Sequence, residues 1–191
     1  MITTVIFDFA GVVSVGRLFP VIAKNLSEQF GIDEVVIKER LYGNEKQFLL
    51  GRETVEDFWK RVCDGLSIPL REFEEAFRKW ELNEETVTLI RELKKKYSVV
   101  LLSDNFAPTS AFIRSHPIFN ELFDKMYFSN EVHMIKNDPG FFQYALDDLK
   151  IKPQECVFID DQEKNLIAPR ELGIQCILFT DAEQTRKEIY G

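Results

Sequence analysis

Five apolar runs of strand length place the tightest limit on what this chain can fold into. They span residues 3–8, 98–103, 125–129, 156–160 and 175–179, and each is rich in β-branched or aromatic side chains. Helical apolar spacing fills the intervals between the later runs, over residues 84–96, 108–115, 139–149 and 163–172, and Gly173 stands where a helix stop belongs. Strands that alternate with helices build βαβ units, and hence a parallel sheet with right-handed crossovers. Strands that are apolar almost throughout fit a sheet covered on both faces. The expected class is therefore α/β.

The first connection breaks the pattern. Between the strand ending at Asp8 and the helix starting near Glu84 lie about seventy residues, far more than an ordinary βα loop. Apolar residues recur at helical spacing over residues 18–30, 33–42, 45–50, 54–65 and 69–80, and Gly31, Gly43, Gly51 and Gly65 mark the breaks. Thr54 offers an N-cap, with Asp57 three residues on. The spacing predicts a small all-helical insert beside the end of the first strand.

Composition excludes several classes of function. The formal net charge of −8 argues against a nucleic-acid surface, which needs a basic field. No run of about 18 uncharged apolar residues is present, so no membrane span is expected. The apolar stretch 2–15 contains Asp8 and lacks a basic leader, so it does not read as a signal peptide. Cys63, Cys156 and Cys176 have no paired spacing, and the last two read as small core residues. The chain reads as a reduced, soluble, cytoplasmic protein.

Four strand-end signals carry candidate chemistry. Asp8 closes an apolar strand and precedes Phe9-Ala10-Gly11, where open α/β sheets bind ligands. A carboxylate there can cap the turn, act as a nucleophile or ligate a metal. Ser103-Asp104-Asn105 ends the second run; a hydroxyl with the following N–H groups can hold an oxyanion, or simply form a turn. Lys136 precedes a helix and, beside acids, can neutralise a phosphate. Asp160-Asp161 follow the fourth run directly, and hard carboxylate oxygens suit Mg²⁺. Asn165, about one helical turn on, can orient an acid. His133 has no visible partner and is left aside.

The order acid, hydroxyl, lysine, acid pair resembles the four motifs of the haloacid dehalogenase superfamily over essentially the whole chain. Val5-Ile6-Phe7-Asp8-Phe9-Ala10-Gly11-Val12 is similar to the first, Leu102-Ser103-Asp104-Asn105 to the second, Lys136-Asn137-Asp138-Pro139 to the third and Phe158-Ile159-Asp160-Asp161 to the fourth. The insert resembles the family's helical cap. Its stretch Phe48…Gly51-Arg52-Glu53-Thr54…Phe58-Trp59 is similar to caps of the sugar-phosphate phosphatases and of the epoxide hydrolase N-terminal domain. The resemblance implies a Rossmann-like, parallel five-stranded core domain (1–16 and 82–191) and a cap domain (17–81).

For function, it implies a Mg²⁺-dependent phosphohydrolase of a small phosphorylated metabolite, acting through an aspartyl-phosphate. Asp8 would be the nucleophile, and Ser103 and Lys136 would hold the phosphoryl group, with Asp104 and Asn105 in the same substrate-binding loop. Asp8, the Ala10 carbonyl and Asp161 would hold the metal, with Asp160 acting through water and Asn165 behind it. Family phosphatases usually carry a second acid where Ala10 stands; such a proton carrier contributes roughly 10²–10⁴-fold. Leaving groups of low pKa are therefore expected to be favoured. Two rival expectations stay open: a binding module that keeps the metal site without turnover, and a metal-independent haloacid dehalogenase, for which no arginine is placed to receive halide unless Arg17 or Arg52 of the insert does so. Phe19, Phe48, Trp59 and Arg52 are candidates to face the substrate, although aromatics at such positions are more often core.

Overall fold

The computed structural model describes residues 1–43 and 45–190. Strand β1 (Thr4–Phe7) is followed by helices α1 (Leu18–Phe30), α2 (Glu34–Tyr42), α3 (Glu45–Leu49), α4 (Val55–Val62) and α5 (Leu70–Ala76). The chain then alternates: α6 (Glu84–Leu93), β2 (Ser98–Ser103), α7 (Ala107–Ser115), α8 (Pro117–Leu122), β3 (Lys125–Phe128), α9 (Ser129–Val132), α10 (Pro139–Leu149), β4 (Cys156–Asp160), α11 (Ile167–Glu171), β5 (Gln175–Leu178) and α12 (Ala182–Tyr190). All five strands are parallel, in the order β3-β2-β1-β4-β5. The chain leaves β1 towards β2 and later returns to its other side at β4. The reversal lies between β1 and β4, which is where open sheets leave a crevice.

The period of two along each strand sorts its side chains onto two cores. Val5, Phe7, Val99, Leu101, Val157 and Ile159 join one cluster, with Leu89, Ile90 and Leu93 of α6. Ile6, Val100, Leu102 and Phe158 join the other, with Phe141, Phe142 and Leu146 of α10. Both faces are covered, as the apolar strands require.

The insert helices share the first of these clusters. Phe48 stacks on Phe58 at 4.4 Å and on Phe106 at 5.1 Å, and Phe19 stacks on Phe106 at 4.7 Å. Phe106 follows the β2 strand end, so the insert is keyed to the sheet beside a candidate site residue. Polar contacts fix the same junction. The Ser129 hydroxyl donates to the Leu49 carbonyl at 2.7 Å, and His133 Nδ1 lies 2.8 Å from the Leu50 carbonyl. Gly51 (φ +63°) sits against the Asn130 carbonyl so closely that any Cβ would overlap it.

The structure departs from the sequence expectation in three helices and one break. Helices α8, α9 and α12 were not anticipated: the first two are short, and only Ala182 and Thr185 of α12 are buried. The expected helix over 163–172 divides into a 3-10 turn (Glu163–Leu166) and α11. Pro169 explains the division, because it has no N–H to give and its ring crowds the carbonyl four residues back.

Because the insert and sheet share one aromatic cluster, they should unfold together. Phe48→Ala is expected to lower stability by about 3–5 kcal/mol, in one denaturant transition seen alike by tryptophan fluorescence and far-UV circular dichroism. An earlier fluorescence transition, with the sheet intact, would contradict the shared core.

Candidate active site

Parallel pairing sets the site. Phe7 lies opposite Leu101 on one side and Ile159 on the other, so the residues after all three strands emerge at one sheet edge. The Asp8 N–H donates to the Ile159 carbonyl at 2.9 Å, extending the ladder by one bond. Asp8 is 3 % exposed and Asp160 is fully buried. Between them lies the Lys136 ammonium, 2.6 Å from Asp8 Oδ1 and 2.7 Å from Asp160 Oδ2, on a side chain 1 % exposed. Asp104 holds this lysine in register by accepting its backbone N–H at 3.0 Å.

The two acids after β4 differ in how they are satisfied. Asp160 Oδ1 accepts from the Gln162 N–H (2.8 Å) and from Asn165 Nδ2 (3.0 Å), while Oδ2 receives Lys136 and the same amide at 3.1 Å. Asp161 Oδ2 accepts from Arg17 Nε at 3.0 Å, whereas Asp161 Oδ1 is buried with no partner among the described residues. An unpartnered buried carboxylate oxygen is costly unless a cation meets it. Ligand atoms of Asp8, Asp160 and Asp161 all lie within 4.8 Å of one another. This donor set, all hard oxygen, fits a divalent ion such as Mg²⁺. Gly11 makes the approach possible: its φ is +84°, and a Cβ there would lie 2.8 Å from the Asp161 carboxylate carbon.

Burial pushes the Asp8 carboxyl up to about 8; the Lys136 ammonium works against this, and Asp160 and Asp161 add to it. Burial alone would pull Lys136 down, but the carboxylates of Asp160, Asp8 and Asp104 outweigh it and hold the ammonium above its ordinary value.

A cleft of about 320 Å³ opens over this edge. Asp8, Ala10, Asp104, Lys136 and Asn165 line its floor. Ser103 and Asn105 do not line it. Ser103 is buried, with its hydroxyl 3.3 Å from the Asp104 carbonyl, and Asn105 turns Oδ1 to the Phe106 N–H at 2.8 Å. Of the five insert residues singled out in the sequence, Arg17 and Phe19 line the cleft. Phe48 is buried in the aromatic core, Trp59 donates Nε1 to the Ile68 carbonyl at 2.8 Å, and Arg52 is exposed. Sequence reasoning missed Tyr42, Glu45 and Lys164 on the cleft wall and the Arg17–Asp161 pair. It also left out His133, whose contact holds the insert in place. None of these carried a strand-end signal.

Between its ordinary value of 3.8 and about 8, Asp8 keeps a proton in the folded, metal-free protein that the unfolded chain releases. Stability therefore falls as pH rises through that window. With EDTA present, Asp8→Asn should gain on the wild type in melting temperature from pH 5 to pH 8. A difference that stays constant across that range would contradict the raised carboxyl.

Comparison with known proteins fits this geometry. The sequence profile of the haloacid dehalogenase-like hydrolases matches residues 2–173. Bifunctional epoxide hydrolase 2 of Sus scrofa is 32% identical over 143 residues, covering 72% of this chain and 26% of that protein, so the match takes in about a quarter of its length. D-ribitol-5-phosphate phosphatase of Bacteroides thetaiotaomicron is 26% identical over 200 residues, covering 99% of this chain and 97% of that one. Among solved structures, a HAD family enzyme of Bacteroides thetaiotaomicron in a magnesium complex superposes with a TM-score of 0.80 at 24% identity, over 99% of this chain and 98% of that one, a likeness of fold. With the profile spanning nearly the whole chain and the strand-end acids gathered around Lys136, the protein belongs to the haloacid dehalogenase-like hydrolases.

Proposed function

We propose that this hydrolase is a Mg²⁺-dependent phosphohydrolase acting on a small phosphorylated metabolite. The observation that carries the reading is the unpartnered, buried Oδ1 of Asp161 beside Asp8 and Lys136. A carboxylate nucleophile, a cation site and an ammonium at one sheet edge are what phosphoryl transfer asks for, since it depends on positioning and charge neutralisation. Full-length similarity to a sugar-alcohol phosphate phosphatase supports the same reaction class.

In this reading residues 1–16 and 82–191 form the core domain and residues 17–81 a cap over the cleft. Asp8, the Ala10 carbonyl and Asp161 would hold Mg²⁺, with Asp160 behind a water and Asn165 orienting Asp160. When bound, Mg²⁺ supplies positive charge that neutralises the acids and the phosphoryl oxygens. Asp8 attacks phosphorus, forming an aspartyl-phosphate that water then cleaves. Lys136, which lines the cleft, positions the phosphoryl group beside Asp104; Ser103 and Asn105, the other sequence candidates for this task, lie buried behind the cleft wall. Ala10 brings no proton to the departing oxygen, so that oxygen leaves unprotonated or takes its proton from elsewhere in the cleft.

The test is hydrolysis of p-nitrophenyl phosphate and acetyl phosphate with Mg²⁺ and with EDTA. Turnover is expected with Mg²⁺, with loss of at least about 10²-fold in EDTA and a comparable loss in Asp8→Asn. Turnover that survives EDTA, or survives Asp8→Asn, would contradict it. Hydrolysis of a 2-haloacid in EDTA would favour dehalogenation instead.

A further inference from the structure

We propose that Glu45, brought over the site by the insert, carries the proton that Ala10 cannot, acting first as general acid and then as general base. The inference rests on the phosphohydrolase reading and deepens it.

Three observations converge on Glu45. Its side chain lines the cleft that Asp8, Ala10 and Lys136 also line. It is half-buried, yet its carboxyl makes no hydrogen bond or ion pair with any described residue. The other acids on this cleft are engaged: Asp8 by Lys136 and the Phe9 N–H, Asp104 by the Lys136 N–H. A half-buried carboxyl on a cleft wall with no protein partner has its oxygens free to hydrogen-bond a bound ligand. Its charged surroundings are Lys164 and Asp104 from the sheet side, with Tyr42 close by on α2 and Arg17 at the start of α1. Burial holds the Glu45 carboxyl above the ordinary carboxylate value, with Lys164 opposing and Asp104 adding. That is the direction a proton donor near neutral pH needs.

The far end of the helix that Glu45 begins is tied to the sheet side. This helix is α3, whose last residue, Leu49, gives its carbonyl to the Ser129 hydroxyl at 2.7 Å. His133 and Gly51 anchor the residues just beyond. Phe48, on the same helix, is stacked in the shared core.

The chemistry balances. As Asp8 Oδ bonds to phosphorus and the bond from phosphorus to the leaving oxygen breaks, the Glu45 acid gives its proton to that oxygen and the alcohol departs. The Glu45 carboxylate then takes a proton from the water that attacks the aspartyl-phosphate. The phosphorus–Asp8 bond breaks, inorganic phosphate forms, and both carboxyl groups return to their starting states. Alkyl phosphates become substrates, which Ala10 alone would disfavour.

The experiment compares kcat/KM for p-nitrophenyl phosphate and for a simple alkyl phosphate, with Mg²⁺, in wild type, Glu45→Gln, and Glu45→Gln combined with Ala10→Asp. Circular dichroism and melting temperature check folding. Glu45→Gln should slow both substrates, the alkyl phosphate by about 10²-fold or more and the aryl phosphate by much less. Its rate should therefore depend more steeply on leaving-group pKa. Restoring a carboxyl with Ala10→Asp should recover the alkyl phosphate preferentially. Equal losses on the two substrates, no loss, or no recovery by Ala10→Asp in a folded double variant would overturn the role of Glu45 and leave the phosphohydrolase reading standing. A folded wild type that turns over neither compound would overturn both.

Discussion

The structure depends on one lysine sealed between two carboxylates. Asp8 directly follows β1 and Asp160 ends its parallel neighbour β4, and both are buried. Neither could sit there as a carboxylate without a partner, because an isolated charge taken from water is strongly disfavoured, and even beside Lys136 burial pushes the Asp8 carboxyl up to about 8. Lys136, nearly inaccessible itself, lies within 2.7 Å of each and compensates them together. Buried arrangements of this kind contribute little net stability relative to a well-packed apolar core, but removing one partner costs about 3–5 kcal/mol. Here Lys136 faces Asp8 and Asp160 while Arg17 meets one oxygen of Asp161, and the other Asp161 oxygen stays buried without a partner beside them.

The aromatic cluster serves the same site from above. Phe106, just beyond the β2 strand end, is gripped by Phe19 and Phe48 of the insert. The insert is thereby packed against the sheet beside the acids, and Glu45 lines the same cleft as Tyr42, Arg17 and Lys164.

What could be read in the sequence follows from burial. A parallel sheet covered on both faces writes its strands as unbroken apolar runs, so all five were legible, and with them the α/β class. Acids directly after such runs stand out because an apolar strand gives them no other reason to be there; Asp8, Asp160 and Asp161 were found this way. Lys136 gave a weaker signal, a lysine before a helix that gains meaning only beside acids, since a loop lysine is ordinarily solvated. Polar residues whose meaning comes from distant partners were not legible. Arg17 and Asp161 are 144 positions apart, and His133 reaches Leu50 across 83. Nothing in local spacing separates Phe19, at the cleft, from Phe48, in the core. Helix α12 escaped because it buries too few residues to write a stripe.

The central claim is that these acids form one divalent-cation site, and it is tested most directly by titrating Mg²⁺ calorimetrically into chelator-treated wild type, Asp161→Asn and Asp8→Asn. The account predicts one site in the wild type, with affinity reduced by about 10-fold or more in each variant. Binding undiminished in both variants, or no binding to the folded wild type, would contradict it.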